Sequence, residues 1–390
     1  MKLTKRVKEI KSSVTLSISA KANEMKKQGM DVIAFGVGEP DFDTPDNIKE
    51  AAKKAIDEGF TKYTPASGII ELKKAIAEKF LKENNIIYEE SQIIISNGAK
   101  QSLMNICLTV LEEGDEVILI KPFWLSYNEQ IKMCGATPVF AESENLKVKA
   151  KLIETKISDK TKMIIINSPC NPSGKIIELQ ELEKIADLCV KHNILCVSDE
   201  PYEKILFDKN KHVSIASLNK NIYGRTITVN AVSKTYSMTG WRIGYCAGPK
   251  ELIKAMNNLQ SHSTSGPCSI AQKAALEAIS GNQESVEIMI REFEKRRNYV
   301  VERLNQMKGV ICSKPEGTFY TFPDISGTGL SSIQFCERIL EEELVAAVPG
   351  EPFGDDACIR ISFATSMNNL KEGLARIERF CNKIGDTHER

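Results

Sequence analysis

The stretch MIIINSPCNPSGKIIELQELEKIADLCVKHNILCVSDEPY, residues 163–202, decides the fold. It opens on a short apolar strand, 163–166, bounded by the turn residues Ser168-Pro169 and Asn171-Pro172. Leu182, Ile185, Ala186, Cys189 and Val190 then recur at the spacing that lines one face of a helix. A second apolar run, 194–198, ends on Asp199-Glu200-Pro201-Tyr202. Short apolar strands separated by amphipathic helices imply a mainly parallel sheet covered on both faces.

The same alternation extends outward. Residues 92–96 read as a strand, and Leu103, Ile106, Cys107, Val110 and Leu111 follow at helical spacing. Gly114-Asp115 makes a turn into a strand at 116–120, and 226–230 completes the series. The fold class is therefore α/β. In such sheets ligands bind beyond the carboxyl ends of the strands. The residues with chemical potential do follow strands directly: Asn97-Gly98-Ala99-Lys100, 167–174, 199–202 and 231–234. After about residue 283 the pattern changes. A long charged helix, 284–307, leads to strands near 319–322 and 358–363, as in a separate, smaller α+β unit. A chain of 390 residues exceeds what one core holds, so two packed units are expected.

Composition narrows the function classes. Lysine plus arginine equals aspartate plus glutamate, 52 against 52, which gives no electrostatic case for nucleic acid or an anionic membrane. The basic triplet Lys295-Arg296-Arg297 sits beside acids and reads as one solvated helix face. The first eleven residues are charged and unlike a secretory signal, and no window approaches the roughly 20 apolar residues of a membrane span. Eleven cysteines are scattered without a CxxC pair; Cys107, Cys189 and Cys196 lie in apolar runs as small hydrophobes. Reduced thiols and a cytoplasmic location are expected. With four histidines and no ligand spacing, no metal centre is expected.

Four elements carry chemistry. Lys234 sits in AVSKTYSMTGWRIG, residues 231–244, directly after a strand. A lysine amine condenses with an aldehyde only when unprotonated, which burial or a cationic neighbour such as Arg242 promotes. A phosphate held by Ser233 and Arg242 would fix a cofactor over it. Taken alone, Lys234 reads as a surface lysine at a strand end, by far the commoner fate of lysines. Asp199 could pair with a pyridinium nitrogen and make the ring an electron sink, with Tyr202 reaching the ring's phenolic oxygen. Alone, Asp199 reads as a cap of the next element. Asn171, in a loop stiffened by two prolines and Gly174, could donate into the site; Gly98-Ala99-Lys100 opens a helix whose free N–H groups suit phosphate. Each signal is weak by itself, but the four lie at the ends of strands of one sheet.

Together with Gly38-Glu39-Pro40-Asp41-Phe42, Lys62-Tyr63-Thr64 and Arg360, these motifs resemble the class I aminotransferases of the fold-type-I pyridoxal-phosphate enzymes, over nearly the whole chain. The resemblance implies a large domain with a mainly parallel seven-stranded sheet, 46–283, and a small α+β domain. The latter would comprise 284–390 plus the first part of the chain, 1–45, which also forms an N-terminal arm. It implies pyridoxal 5'-phosphate as cofactor, with Lys234 as the Schiff-base lysine and Asp199 on the pyridine nitrogen. Tyr202 and Asn171 would bond the phenolic oxygen, and Trp124 would stack on the ring. Gly98, Ser233, Arg242 and the amides of Ala99 and Lys100 would form the phosphate site. Tyr63 would reach the neighbouring subunit's phosphate, making a homodimer the working unit. Arg360 would bind the α-carboxylate, and Gly38 would close over the substrate. Trp124 and Asn171 would border it.

Within the family the chain resembles bacterial aspartate aminotransferases that read the distal carboxylate with a lysine, here Lys100. The expected reaction converts L-aspartate and 2-oxoglutarate to oxaloacetate and L-glutamate. Aromatic or prephenate transamination is the alternative, since prephenate also carries a distal carboxylate; a C–S lyase of the same fold is another. Two positions depart from the pattern. Ala231 replaces a glycine or serine, and Cys170 replaces an asparagine, which would set an exposed thiol near the cofactor.

Overall fold

The structure, a computed structural model, describes residues 2–4, 8, 10 and 14–388. Its strands, in chain order, begin with β1 (Ile33–Ala34), β2 (Ile93–Ser96), β3 (Glu116–Ile120) and β4 (Thr137–Ala141). They continue with β5 (Thr161–Asn167), β6 (Leu195–Asp199), β7 (Thr226–Ala231) and β8 (Gly244–Ala247). The last four are β9 (Tyr320–Thr321), β10 (Val345–Ala346), β11 (Val348–Pro349) and β12 (Ile359–Ser362). Seven of them form one sheet in the order β2-β8-β7-β6-β5-β3-β4. Only β8 in this sheet runs against its neighbours, β2 and β7; the pairs from β7 to β4 are all parallel.

Both sheet faces are dry, which is why these strands read as unbroken apolar runs rather than alternating ones. Val117 and Leu119 of β3 pack with Leu103, Ile106 and Met163 on one face. Ile118 and Ile120 pack with Ile164, Leu182, Ile185 and Cys189 on the other. The helix Leu179–Lys191 buries the expected stripe of Leu182, Ile185, Ala186 and Cys189, and Val190 packs half-buried beside it. Register then aligns the strand ends. Asn167 of β5 pairs with Asp199 of β6, and Asp199 with Val229 of β7. The segments carrying Asn171, Asp199 and Lys234 therefore leave the sheet side by side.

A second core gathers the two ends of the chain. β1 pairs in parallel with β10, and β11-β12-β9 form a small antiparallel sheet. Phe35, Phe293, Phe319, Phe335, Phe363 and Phe380 fill this core, and Tyr202, Ile205 and Phe207 enter it from the end of β6. The long helix runs Glu284–Leu304, slightly shorter than expected.

The basic triplet is not one solvated face. Lys295 is exposed, but Arg296 and Arg297 are buried. Arg297 bonds both oxygens of Asp208, at 2.6 and 3.0 Å, and lies over the Phe207 ring. Arg296 bonds Asp41 at 2.7 Å and Glu292 at 3.0 Å, over Phe42 and Phe293. Guanidinium is weakly hydrated, and stacking on rings while pairing with acids lets it leave water. Helical periodicity cannot reveal acids that arrive from distant segments. Among the described residues no helix is long and apolar enough to cross a membrane.

Candidate active site

A cavity of about 480 Å³ opens at the carboxyl ends of β5, β6 and β7 and reaches residues from both cores. Gly38, Ala99, Lys100, Trp124, Asn171, Asp199, Tyr202, Ser233, Lys234, Arg242 and Arg360 all line it. One end is built to hold an anion. Gly98 precedes the helix Ala99–Val110 with a φ of 80°, so the first amides of that helix are free of intrahelical partners. Its hydrogen is needed there, because a Cβ would lie 2.4 Å from Arg242 Nη2. Arg242, itself left-handed at φ 57°, donates to the Thr239 carbonyl at 2.8 Å.

Lys234 stands on the single turn Val232–Thr235 that follows β7. Its Nζ donates to the Gly38 carbonyl at 2.5 Å. Burial lowers its pKa to about 8, helped by the charges of Arg360, Arg242 and Lys100 and opposed by Glu39. That places the free amine within reach of neutral pH, as a nucleophilic or basic lysine requires.

Asp199 is buried at the end of β6. Oδ2 accepts a hydrogen bond from Tyr127 at 2.5 Å, while Oδ1 is buried with no partner. Burial pushes the carboxyl up to about 7; the Tyr127 bond and the Lys234 charge pull the other way, and Glu200 adds to the rise. Neighbouring Asn167 ties the loop to the strand, donating to the Asp199 carbonyl at 2.8 Å and accepting from the Asn171 amide at 2.7 Å. Arg360 is buried and donates to Asn171 Oδ1 at 3.1 Å and the Gly36 carbonyl at 2.9 Å, with its Nε unpartnered. Tyr202 and Tyr320 share a hydrogen bond of 3.2 Å, and Arg360 lies 4.4 Å above the Tyr320 ring. Lys100 places its ammonium 5.0 Å from the Trp124 ring centre.

Two expected site residues stand apart from this wall. Gly98 acts behind it, as the cradle for Arg242. Tyr63 is wholly exposed and contributes nothing to the cavity of its own chain. The Cys170 thiol differs from the expectation of an exposed group near the cofactor. It faces the Pro122 carbonyl at 3.5 Å and lines a separate, small cavity behind the loop. Cis bonds at Ser168-Pro169 and Asn171-Pro172 belong to the same loop.

Sequence reading passed over Tyr127, Tyr320 and Glu39 as individual site residues. Tyr127 had a local signal, since it sits one helical turn beyond Trp124 and their rings meet edge to face at 5.3 Å. Tyr320 had none. It looks like any aromatic of a short strand and reaches the cavity only because β9 pairs with β12, beside Arg360. Glu39 accepts from Thr239 at 2.7 Å, a contact across 200 residues.

Comparison with known proteins agrees with this arrangement. The model of the family "Aminotransferase class I and II" matches residues 30–377. An aspartate aminotransferase of Bacillus subtilis is 47% identical over 98% of this chain and 100% of its own length. A probable aspartate/prephenate aminotransferase of Rickettsia felis is also 47% identical, over 98% of this chain and 97% of its own. Among solved structures, the aspartate aminotransferase of Thermus thermophilus with maleate superposes with a TM-score of 0.94 at 40% identity, covering 97% of this chain and 99% of that one. The chain therefore belongs to the class I and II aminotransferases, pyridoxal-phosphate enzymes that move amino groups between amino acids and 2-oxo acids.

Proposed function

We propose that this chain transfers the amino group of L-aspartate to 2-oxoglutarate, giving oxaloacetate and L-glutamate. The observation that carries this reading is the presence of two cations, Arg360 and Lys100, in the wall of the cavity that holds Lys234. A guanidinium fork suits the α-carboxylate, and an ammonium on a flexible stem suits the distal one. The names of the relatives, and the dicarboxylate maleate in a similar structure, support the same substrate class.

The residues fit pyridoxal 5'-phosphate. The unpartnered Asp199 Oδ1 lacks the donor that a protonated ring nitrogen would give it. The corner of Gly98, Ala99, Lys100, Ser233 and Arg242 suits the phosphate, and Asn171 and Tyr202 would hold the phenolic oxygen. Trp124 would cover the ring face. When bound, the cofactor supplies an aldehyde that condenses with amines and a ring that accepts electrons from the substrate α-carbon.

Each residue then has a physical task. Lys234 Nζ, as a free amine, takes the substrate α-proton and returns it on the other side of the exchange. Asp199 holds a proton on the ring nitrogen. Tyr127 keeps Asp199 oriented, its own hydroxyl proton secured because burial and Asp199 push its pKa well above the usual value. The carbonyl of Gly38 orients Lys234, and the same glycine leaves room beside the Tyr320 hydroxyl.

The same reading divides the chain into a large unit, 46–283, and a small unit of 1–45 with 284–390. The β1–β10 pairing and the shared aromatic core support that division. It also makes Tyr63, wholly exposed, the residue that reaches the site of a second copy in a homodimer. Eleven free cysteines, most of them buried, favour the cytoplasm.

The test is the half-reaction of cofactor-loaded protein, followed by the cofactor's absorbance. Rapid change with L-aspartate and slow change with L-phenylalanine support the proposal. Rapid change with aromatic donors alone moves the assignment to aromatic or prephenate transamination. Release of pyruvate or a thiol, without transamination, moves it to a lyase.

A further inference from the structure

Asp199 and Tyr202 leave the end of β6 on one tight turn, closed by the Glu203 N–H on the Glu200 carbonyl at 3.1 Å. The two glutamates of that turn enter a second polar compartment. Glu200 is fully buried. Its Oε1 accepts from Ser198 and Ser214, both at 2.7 Å, and its Oε2 lies 3.0 Å from His212 Nε2. Glu203 is ion-paired with Lys79 and accepts from Asn84 at 2.7 Å and Asn230 at 2.6 Å. The compartment thus ties together the helix Ile70–Asn84, β7, the turn and the segment around 212–214. None of these groups lines the cavity.

Buried charges destabilise a fold unless they balance. The charged groups facing His212 are Glu200, Glu203 and Lys79. Two carboxylates and one ammonium leave a net negative charge, which a protonated imidazole cancels. Burial works against that proton, yet Glu200 and Glu203 outweigh it and hold the His212 pKa above its usual value. Glu203, in spite of burial, is held down to about 2 by Lys79, His212 and Asn84. With Glu203 paired to Lys79, the proton on His212 is what balances the Glu200 carboxylate.

We propose that His212 is a positioning residue for the amino-transfer reaction: its ion pair with Glu200 balances the compartment beneath the Asp199–Tyr202 turn and so fixes the two side chains that meet the cofactor. This rests on the roles proposed above for Asp199 and Tyr202. With the imidazolium removed, the Glu200 carboxylate is uncompensated. It then repels the Asp199 carboxylate directly and favours a proton on Asp199 instead of on the ring nitrogen.

The experiment is a double-mutant cycle on His212→Gln and Glu200→Gln, read by the pyridoxal-phosphate dissociation constant and by a pH titration of the bound cofactor's absorbance. His212→Gln keeps a donor but loses the charge, and its cofactor affinity is expected to fall about tenfold, the equivalent of one pH unit of electrostatic preference. The double variant is expected to regain most of that loss, because the uncompensated carboxylate is gone. Losses that simply add, as two structural defects would, overturn the proposal, and so does an unchanged His212→Gln. Should His212→Gln fail to fold, a double variant that folds and binds cofactor supports charge balance, and one that fails equally overturns it. Asp199→Asn is the control. If it keeps full activity, the reading of the site itself falls; if it is inactive while the cycle is additive, only the role of His212 falls.

Discussion

Asp199→Asn should remove a pH-dependent destabilisation of the cofactor-free protein while removing activity. Burial holds the Asp199 carboxyl at about 7, against 3.8 for the free group. The folded state therefore keeps a proton that the unfolded chain has already lost, and stability falls as pH rises from the lower value to the upper one. Each pH step of one inside that window costs about 1.4 kcal/mol. Between pH 5 and pH 7 the wild type should lose about 2 kcal/mol from this group, and above pH 7 the loss levels off. Asparagine does not titrate. Its oxygen can still accept from Tyr127, and its unpartnered N–H adds a cost of about 1–3 kcal/mol that is the same at every pH. The stability difference, variant minus wild type, should thus grow by about 3 kcal/mol from pH 5 to pH 8.5. Denaturant unfolding of cofactor-free protein at both pH values measures it, with equal slopes required for the comparison. A difference that stays flat, or shrinks with pH, would refute the reasoning. The cofactor's ring nitrogen would discharge this cost, so the loaded wild type should show a weaker dependence than the apoprotein.

Three more outcomes follow from the same geometry. Lys234→Ala should abolish turnover yet leave a folded protein that binds the cofactor non-covalently; full activity would sink the role of Lys234. Tyr127→Phe removes the donor at 2.5 Å from Asp199 and should cut kcat by about ten- to a hundredfold, the worth of a hydrogen bond to a charged group. Its apoprotein should also lose stability over a pH range shifted upward, because that bond lowers the Asp199 pKa. Lys100→Met should raise KM for aspartate by at least about tenfold and leave phenylalanine turnover nearly unchanged. Equal losses for both donors would remove Lys100 from distal-carboxylate recognition.

Much of this was local information. A strand buried on both faces must be apolar throughout, and a covering helix must repeat its apolar residues at three and four, so residues 163–202 announce a parallel sheet without any partner in view. The active-site motifs were legible for a related reason. Ligands of such sheets bind where strands end; Asp199 ends a strand, and Asn171 and Lys234 follow one within a few residues. Other features required long-range contacts. The burial of Arg296 and Arg297 depends on Asp41 and Asp208, which lie 255 and 89 residues away in the chain. Tyr320 and Arg360 enter the cavity through the pairing of β9 with β12, and the compartment of Glu200, Glu203, His212, Lys79 and Asn230 joins four separate segments. Sequence by itself determined the sheet, the order of its motifs and the chemistry available at the strand ends, because periodicity and chain direction are local. Only the tertiary structure decided which charges are buried together and which carboxylate keeps an oxygen unpaired, because burial and charge balance are set by groups that meet only when the chain has folded.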